Sequence, residues 1–237
     1  MKGVVLAGGT GTRLKDLTKV TNKHLLPIYD KPMIYFPINL LKGAGIRSII
    51  VVTDKRRTTD FLLLLGSGID FDVRFTYALQ ESAIGIADAL SKVRDFVNDE
   101  DITVILGDNV IFGALASLNE PLVKSCRIFL KRVEDPERFG IAYISGNKIE
   151  KIIEKPKNPT SNFAIIGLYQ YKSSVFDVID RVKPSKRGEK EITDVNRYFL
   201  EKDDIEYRII ENEWIDAGTI ESLFEASVIE RDILTSK

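Results

Sequence analysis

The feature that most constrains the fold is an alternation, along the first half of the chain, between short apolar runs and segments of helical period. Residues 2–6, 48–53, 73–77 and 103–106 are short, mainly apolar, β-rich runs, and each ends near Gly, Asp, Asn or Gln. Continuous apolar runs mark strands covered on both faces, the condition of a parallel sheet. Between them, residues 34–42, 59–65 and 86–97 repeat their apolar side chains at helical spacing, which supplies the crossovers that parallel strands require. This pattern predicts a doubly wound, mostly parallel α/β sheet of Rossmann-like type over about the first 110 residues.

From Cys126 the texture changes. "CRIFLKRV", "IAYISGNKIEKIIEKP" and "FAIIGLYQYK" read as a second set of strands, with "SGNK" as a hairpin turn. Helices are expected again at 175–182 and 193–202, "IEYRIIENEWIDAG" as extended chain, and "TIESLFEASVIERDIL" as an amphipathic helix capped by Thr219. The second part is thus smaller and β-rich. No linker, internal repeat or low-complexity tract interrupts the 237 residues, so one elaborated α/β domain is expected.

Composition removes several classes of function. With 34 Lys and Arg against 35 Asp and Glu, the formal charge is -1 and no basic field calls for nucleic acid. The single Cys126 allows neither an internal disulfide nor a cysteine-rich metal cluster, which suits a reducing compartment. The first residues lack a signal-peptide pattern, and no apolar run approaches the ~20 residues of a membrane span. A soluble cytoplasmic protein with no membrane partner is expected.

The first run opens into "GVVLAGGTGTRL", residues 3–14, whose glycines and arginine imply an anion. A dinucleotide fingerprint counted from Gly9 meets Leu14 where its third glycine belongs, and no Lys-Ser or Lys-Thr pair completes a P-loop. What remains is a strand end where Gly8, Gly9 and Gly11 let backbone N–H groups approach an anion beside the fixed charge of Arg13. A tight strand-to-helix turn is the competing reading.

The residues that follow, "TNKHLLPIYDKPMIYFPI", extend the loop into a longer signature. Further segments occur in order: "LGDN" at 106–109, "DPERFG" at 135–140, "EKP" at 154–156, "RGEKEITDVN" at 187–196 and "WIDAGT" at 214–219. Together they resemble the nucleotidyltransferases that activate sugar 1-phosphates, over almost the whole chain. The resemblance implies one nucleotidyltransferase domain, 1–237, with a nucleotide-binding part at about 1–110 and a sugar-phosphate-binding part with the closing helix at about 111–237. It also implies the reaction: dTTP and glucose 1-phosphate give dTDP-glucose and pyrophosphate, assisted by Mg²⁺. UTP is the alternative donor, and a non-catalytic sugar-nucleotide sensor the alternative role.

Such a transfer joins two anions, so its demands are alignment and neutralisation of charge rather than a general base. The resemblance assigns Leu6, Gly8, Gly9, Gly11, Thr12 and Arg13, with Gln80, Gly85 and Asp108, to the nucleotide. Arg13 can fork two oxygens of the leaving pyrophosphate, and Lys23 supplies a point charge near the α-phosphoryl group or the incoming phosphate. Asp108 follows the run "ITVILG" and so lies at a strand end, while Asp216 sits far along the chain in "WIDAGT"; in the family the matching aspartates share one Mg²⁺. The Gln80 amide matches the imide edge common to thymine and uracil. "ESAI" after Gln80 departs from the family's proline-containing wording, and His24 replaces its usual glutamine. His24 is read as a packing or hydrogen-bonding residue. For the sugar phosphate, the resemblance assigns Gly140, Glu154, Lys155, Ile165 and Arg187, with Arg187 equally readable as part of a solvated basic loop. Full-length members continue beyond the closing helix with segments for subunit contacts and an effector site. The chain's end at Lys237 therefore implies a short form with little feedback, and it leaves a homo-oligomer open.

Overall fold

A computed structural model of the chain describes residues 1–9, 11–82 and 84–236, so Thr10 of the glycine loop, Ala83 and Lys237 lie outside the described residues. In chain order the strands are β1 (Lys2–Ala7), β2 (Pro27–Ile28), β3 (Lys31–Pro32), β4 (Ser48–Asp54), β5 (Arg74–Gln80), β6 (Ile102–Leu106), β7 (Asn109–Ile111), β8 (Cys126–Arg132), β9 (Gly140–Ser145), β10 (Lys148–Glu154), β11 (Phe163–Tyr171), β12 (Ile205–Ile209) and β13 (Trp214–Asp216). The helices are α1 (Tyr35–Gly43), α2 (Thr58–Leu65), α3 (Ile86–Ser91), α4 (Arg94–Val97), α5 (Val175–Arg181), α6 (Ile192–Glu201) and α7 (Ile220–Thr235). They pack as two compact units that interleave in sequence. Met1, Ile84–Val104 and Ala116–Glu211 form one; Lys2–Ala83, Ile105–Leu115 and Asn212–Lys237 form the other.

The unit that contains the glycine loop is the doubly wound part. β1 pairs in parallel with β4, and β4 pairs in parallel with β5. Val4, Val5, Ile49, Ile50, Val51 and Val52 are buried on consecutive positions, which is why these strands read as unbroken apolar runs. A second core in the same unit gathers Ile28, Met33, Phe36, Val110, Phe112, Ile215, Ala217 and Ala226 beneath α7. It is fed by β7 and β13, an antiparallel pair of three residues each, in which Asp216 faces Asn109. Lys31 binds the buried Glu230 at 2.5 Å and lies over the Phe36 ring, tying α7 to the β2–β3 hairpin.

The other unit is mainly antiparallel. β9 and β10 form a hairpin closed by Gly146 and Asn147, β11 pairs with both β9 and β8, and β12 adds to β8 in parallel. Gly146 carries a φ of 56°, the left-handed conformation that a two-residue hairpin turn demands. The fully buried Arg127 faces Gln170 on one neighbour strand and Glu206 on the other, and binds them at 2.7 and 2.9 Å. A guanidinium keeps its charge when buried and is costly to leave unpaired, so these partners favour this register of β8.

Two expectations are refined. The helical segment 86–97 breaks into α3 and α4 because Lys92 and Val93 close tight i→i+3 bonds on Ala89 and Leu90, and Val93 then turns with ψ near 0°. The extended stretch 205–218 divides between the two units. Ile210 donates the last bond to Leu130, after which the Asn212 amide binds the Phe112 and Ala114 carbonyls and carries the chain into β13.

α7 begins where Thr219 and Ser222 form a reciprocal capping box: each side chain accepts from the other residue's backbone N–H, at 3.1 Å in both directions. Thr219→Ala removes one partner and is expected to lower global stability by about 1 kcal/mol, read from the midpoint of urea unfolding. An unchanged midpoint would show that α7 is held by its apolar face alone.

Candidate active site

β1 delivers the loop. Leu6 is buried, and its carbonyl accepts from the Gly107 N–H at 2.9 Å, locking the ends of β1 and β6 together. Just beyond, Gly8 lies so close to Gln80 that a β-carbon there would stand 2.4 Å from Oε1, so only glycine admits the buried amide at the end of β5. Gly9 packs against the Lys23 stem, and Gly11, at φ 68°, turns the chain into a 3-10 turn that starts at Thr12. Leu14 is wholly buried and anchors this turn, while the Arg13 side chain is 56% exposed.

Lys23 and Asp108 meet directly. Their side chains are only 14% and 8% exposed, and the ammonium bonds Oδ2 of the carboxylate. Burial pushes the Asp108 pKa up, but the charge and hydrogen bond of Lys23 outweigh it and hold the carboxyl below its usual range. His24, the next residue, is buried against Gly107, where a β-carbon would come within 2.6 Å of the ring. Its partners reveal its tautomer. Asn22 Oδ1 accepts from the His24 backbone N–H at 2.9 Å, so the same oxygen must also accept from Nδ1–H at 2.7 Å. The Asn22 amide nitrogen donates to the Ala7 carbonyl, so Asn22 joins the lysine turn to the end of β1.

Asp216 reaches the same neighbourhood through the β7–β13 ladder. It faces Asn109 in register, and the Ala217 N–H donates to the Asp108 carbonyl at 2.9 Å. The Trp214 indole donates to Asn109 Oδ1 at 2.7 Å, which pins the ladder from the side. Arg13 Nη2 stands 3.9 Å from Asp216 Oδ2, and Gly218 packs under both groups. Each acidic candidate is therefore matched by a cationic one: Asp108 by Lys23, Asp216 by Arg13. No group of three or more His, Cys, Asp or Glu side chains able to hold a metal occurs among the described residues, so a metal here would draw on a pair of carboxylates.

The remaining candidates lie in the other unit. Glu154 ends β10 facing Gly140 of β9, and the Lys155 N–H donates to the Phe139 carbonyl as Lys155 turns with φ 42°. The Glu154 carboxylate accepts from Thr193 Oγ1 at 2.5 Å and has Arg187 at 3.6 Å and Lys155 at 3.7 Å. Ile165 lies beside Gly140 and is almost fully buried. Arg187 is held chiefly by Glu191, at 2.8 Å. Gly85, at φ 114°, precedes α3 and packs on the Lys190 backbone, so it groups with these residues rather than in the unit of Gln80. Asn22, Asn109, Thr193 and Glu191 were not anticipated from sequence; each is a polar residue inside a recognised motif whose partner only the fold supplies.

The strand-end glycine loop is thus flanked by two cation–carboxylate pairs. Residues 2–232 match the nucleotidyl transferase family, and the chain belongs to it. The glucose-1-phosphate thymidylyltransferase of Neisseria gonorrhoeae is 42% identical over 234 residues, covering 96% of this chain and 81% of that protein. A crystal structure from Bacillus anthracis, assigned as a glucose-1-phosphate thymidylyltransferase and solved with sucrose, superposes at a TM-score of 0.92 with 46% identity, covering 98% of this chain and 96% of that one. A UDP-glucose pyrophosphorylase solved with UDP-glucose shares the fold at a TM-score of 0.85 and 24% identity.

Burial, reinforced by the Lys23 charge, lowers the His24 pKa from 6.5 to about 3, and Asp108 opposes this only in part. The unfolded chain then binds a proton that the fold refuses between those values. Stability from this residue is complete above pH 6.5 and is lost as pH falls through the window, by about 2 kcal/mol between pH 7 and pH 5. As His24 is the only histidine, its ring resonances form a single NMR signal set, expected to stay neutral and flat from pH 8 to pH 5. A midpoint near pH 6.5 would contradict the buried, Asn22-bonded ring.

Proposed function

We propose that the chain transfers a thymidylyl group from dTTP to glucose 1-phosphate, releasing dTDP-glucose and pyrophosphate. The observation that carries this reading is the meeting of Arg13, Lys23, Asp108 and Asp216 beside the glycine loop, in a chain related over nearly its full length to glucose-1-phosphate thymidylyltransferases. The nucleophile is a phosphate oxygen that is already ionised, so no residue need remove a proton. The loop N–H groups of Gly8, Gly9 and Gly11 receive the triphosphate, with Leu6 and Thr12 bounding the loop. Arg13 forks the departing pyrophosphate oxygens, and Lys23 places its charge where the two reacting phosphates converge. Gln80 offers donor and acceptor to the imide edge of the base, and Gly85 its backbone.

Two hard carboxylates, one of them held ionised, suit Mg²⁺, which completes its shell with phosphate oxygens and water. Asp108 and Asp216 would hold it, and bound there it would neutralise charge on the phosphates. In the other unit, Glu154 accepts hydrogen bonds from the sugar hydroxyls with Thr193 orienting its carboxylate, Gly140 and Ile165 line the ring, and Lys155 and Arg187 meet the phosphate. The whole of 1–237 thus acts as one nucleotidyltransferase domain, its substrates a nucleoside triphosphate and a sugar 1-phosphate.

Pyrophosphate release in the presence of Mg²⁺, glucose 1-phosphate and either dTTP or UTP tests the assignment. Faster release with dTTP, with dTDP-glucose as product, is expected; absence of pyrophosphate with both donors would overturn it. Arg13→Ala should lower kcat by about 10²–10³-fold with little change in KM for glucose 1-phosphate, and Arg13→Lys should recover only part, because an ammonium cannot fork. Full turnover in Arg13→Ala would reduce the loop to a turn.

A further inference from the structure

Both carboxylates assigned to the metal are already occupied by the chain's own cations. The Lys23 ammonium lies on Asp108 Oδ2, with Asn109 Nδ2 at 3.4 Å from the other oxygen, and Arg13 lies 3.9 Å from Asp216. These pairs differ in kind. Arg13 is more than half exposed and its contact is long, so water screens it and a ligand can draw it away. Lys23 is enclosed: Gly9 and Gly11 pack against its stem, and its amine and the Asp108 carboxylate are almost wholly removed from water. A divalent ion arriving alone would have to expel the ammonium from Asp108 while the neighbouring Asp216 already faces Arg13, leaving two like charges in a poorly solvated space. A triphosphate arriving with the metal removes that obstacle, because its phosphates offer Lys23 a new partner as the metal takes Asp108.

We propose that Lys23 is a resident stand-in for the metal: it occupies Asp108 in the resting site, excludes free divalent cations, and yields the carboxylate only when a triphosphate arrives to accept its ammonium. This rests on the reading of Asp108 and Asp216 as the metal pair, and it gives Lys23 a role before chemistry begins. Metal and nucleotide are then bound with strong mutual dependence, which by reciprocity makes the triphosphate bind better with metal than without it.

Mn²⁺, which accepts the same hard oxygen donors as Mg²⁺, reports binding by its electron paramagnetic resonance signal without any turnover. Titrated into the full chain without nucleotide, it should bind wild type and Lys23→Arg weakly, and Lys23→Met about tenfold or more tightly. Adding Asp108→Asn to Lys23→Met should abolish the gain. Equal or weaker Mn²⁺ binding by a folded Lys23→Met would overturn the proposal. A second measurement needs no variant: the ¹⁵Nζ signal of Lys23 in wild type should stay put with Mg²⁺ alone and move when Mg²⁺ and a non-hydrolysable dTTP analogue are added together. Movement with Mg²⁺ alone would equally overturn it. Failure of the catalytic reading appears instead in pyrophosphate release, which neither measurement uses.

Discussion

The three-residue ladder between β7 and β13 is the contact on which the candidate site depends. Asp108 and Asp216 are remote in sequence, and only the pairing of Asn109 with Asp216, extended by the Ala217 N–H on the Asp108 carbonyl, gives them a common frame. So short a ladder is marginal by itself, since isolated two-stranded pairs rarely persist in water. Here Val110 and Ile215 project into a core closed by Phe36, Phe112 and α7, and the Trp214 indole clamps Asn109. Burial of those apolar side chains thus holds two charged ones in place.

Electrostatics then decides what the frame can accept. The site balances two carboxylates against a lysine and an arginine; on the proposed reading, that balance suits a substrate that brings phosphates and metal together. Close approach matters as much as charge. The buried amide of Gln80 reaches its place only because Gly8 has no side chain, and His24 reaches its own only because Gly107 has none. Gly8 of "GGTGTRL" and Gly107 of "LGDN" therefore make room for buried polar side chains.

Much of this was legible in the sequence. The parallel strands announce themselves because both faces are buried, the loop because strand, glycines and arginine follow one another, and α7 because an amphipathic run follows Thr219 as its cap. Arg13, Lys23, Asp108 and Asp216 lie in one unit and Gly140, Glu154, Lys155, Ile165 and Arg187 in the other, but Gly85 lies with the second group, and Asp216 and α7 lie with the glycine loop rather than in the part expected from 111 onward. What remained hidden was tertiary. Nothing local shows that β12 and β13, only a few residues apart, pack into different units. Nor can spacing show that Asn22 sets the His24 tautomer, that Thr193 holds Glu154, or that Lys23 lies on Asp108, because each role belongs to a partner brought in by the fold.

The central claim is that Asp108 and Asp216 act as one unit on one ion, and a double-mutant cycle tests it most directly. Turnover is measured over a range of Mg²⁺ concentrations for Asp108→Asn, Asp216→Asn and the double variant. Each single variant should need more Mg²⁺ and recover part of its activity when given it, and the double variant should recover almost none, with a loss that differs clearly from the product of the single losses. Losses that simply multiply, with an unchanged Mg²⁺ requirement, would contradict the shared site and leave the ladder as a structural contact alone.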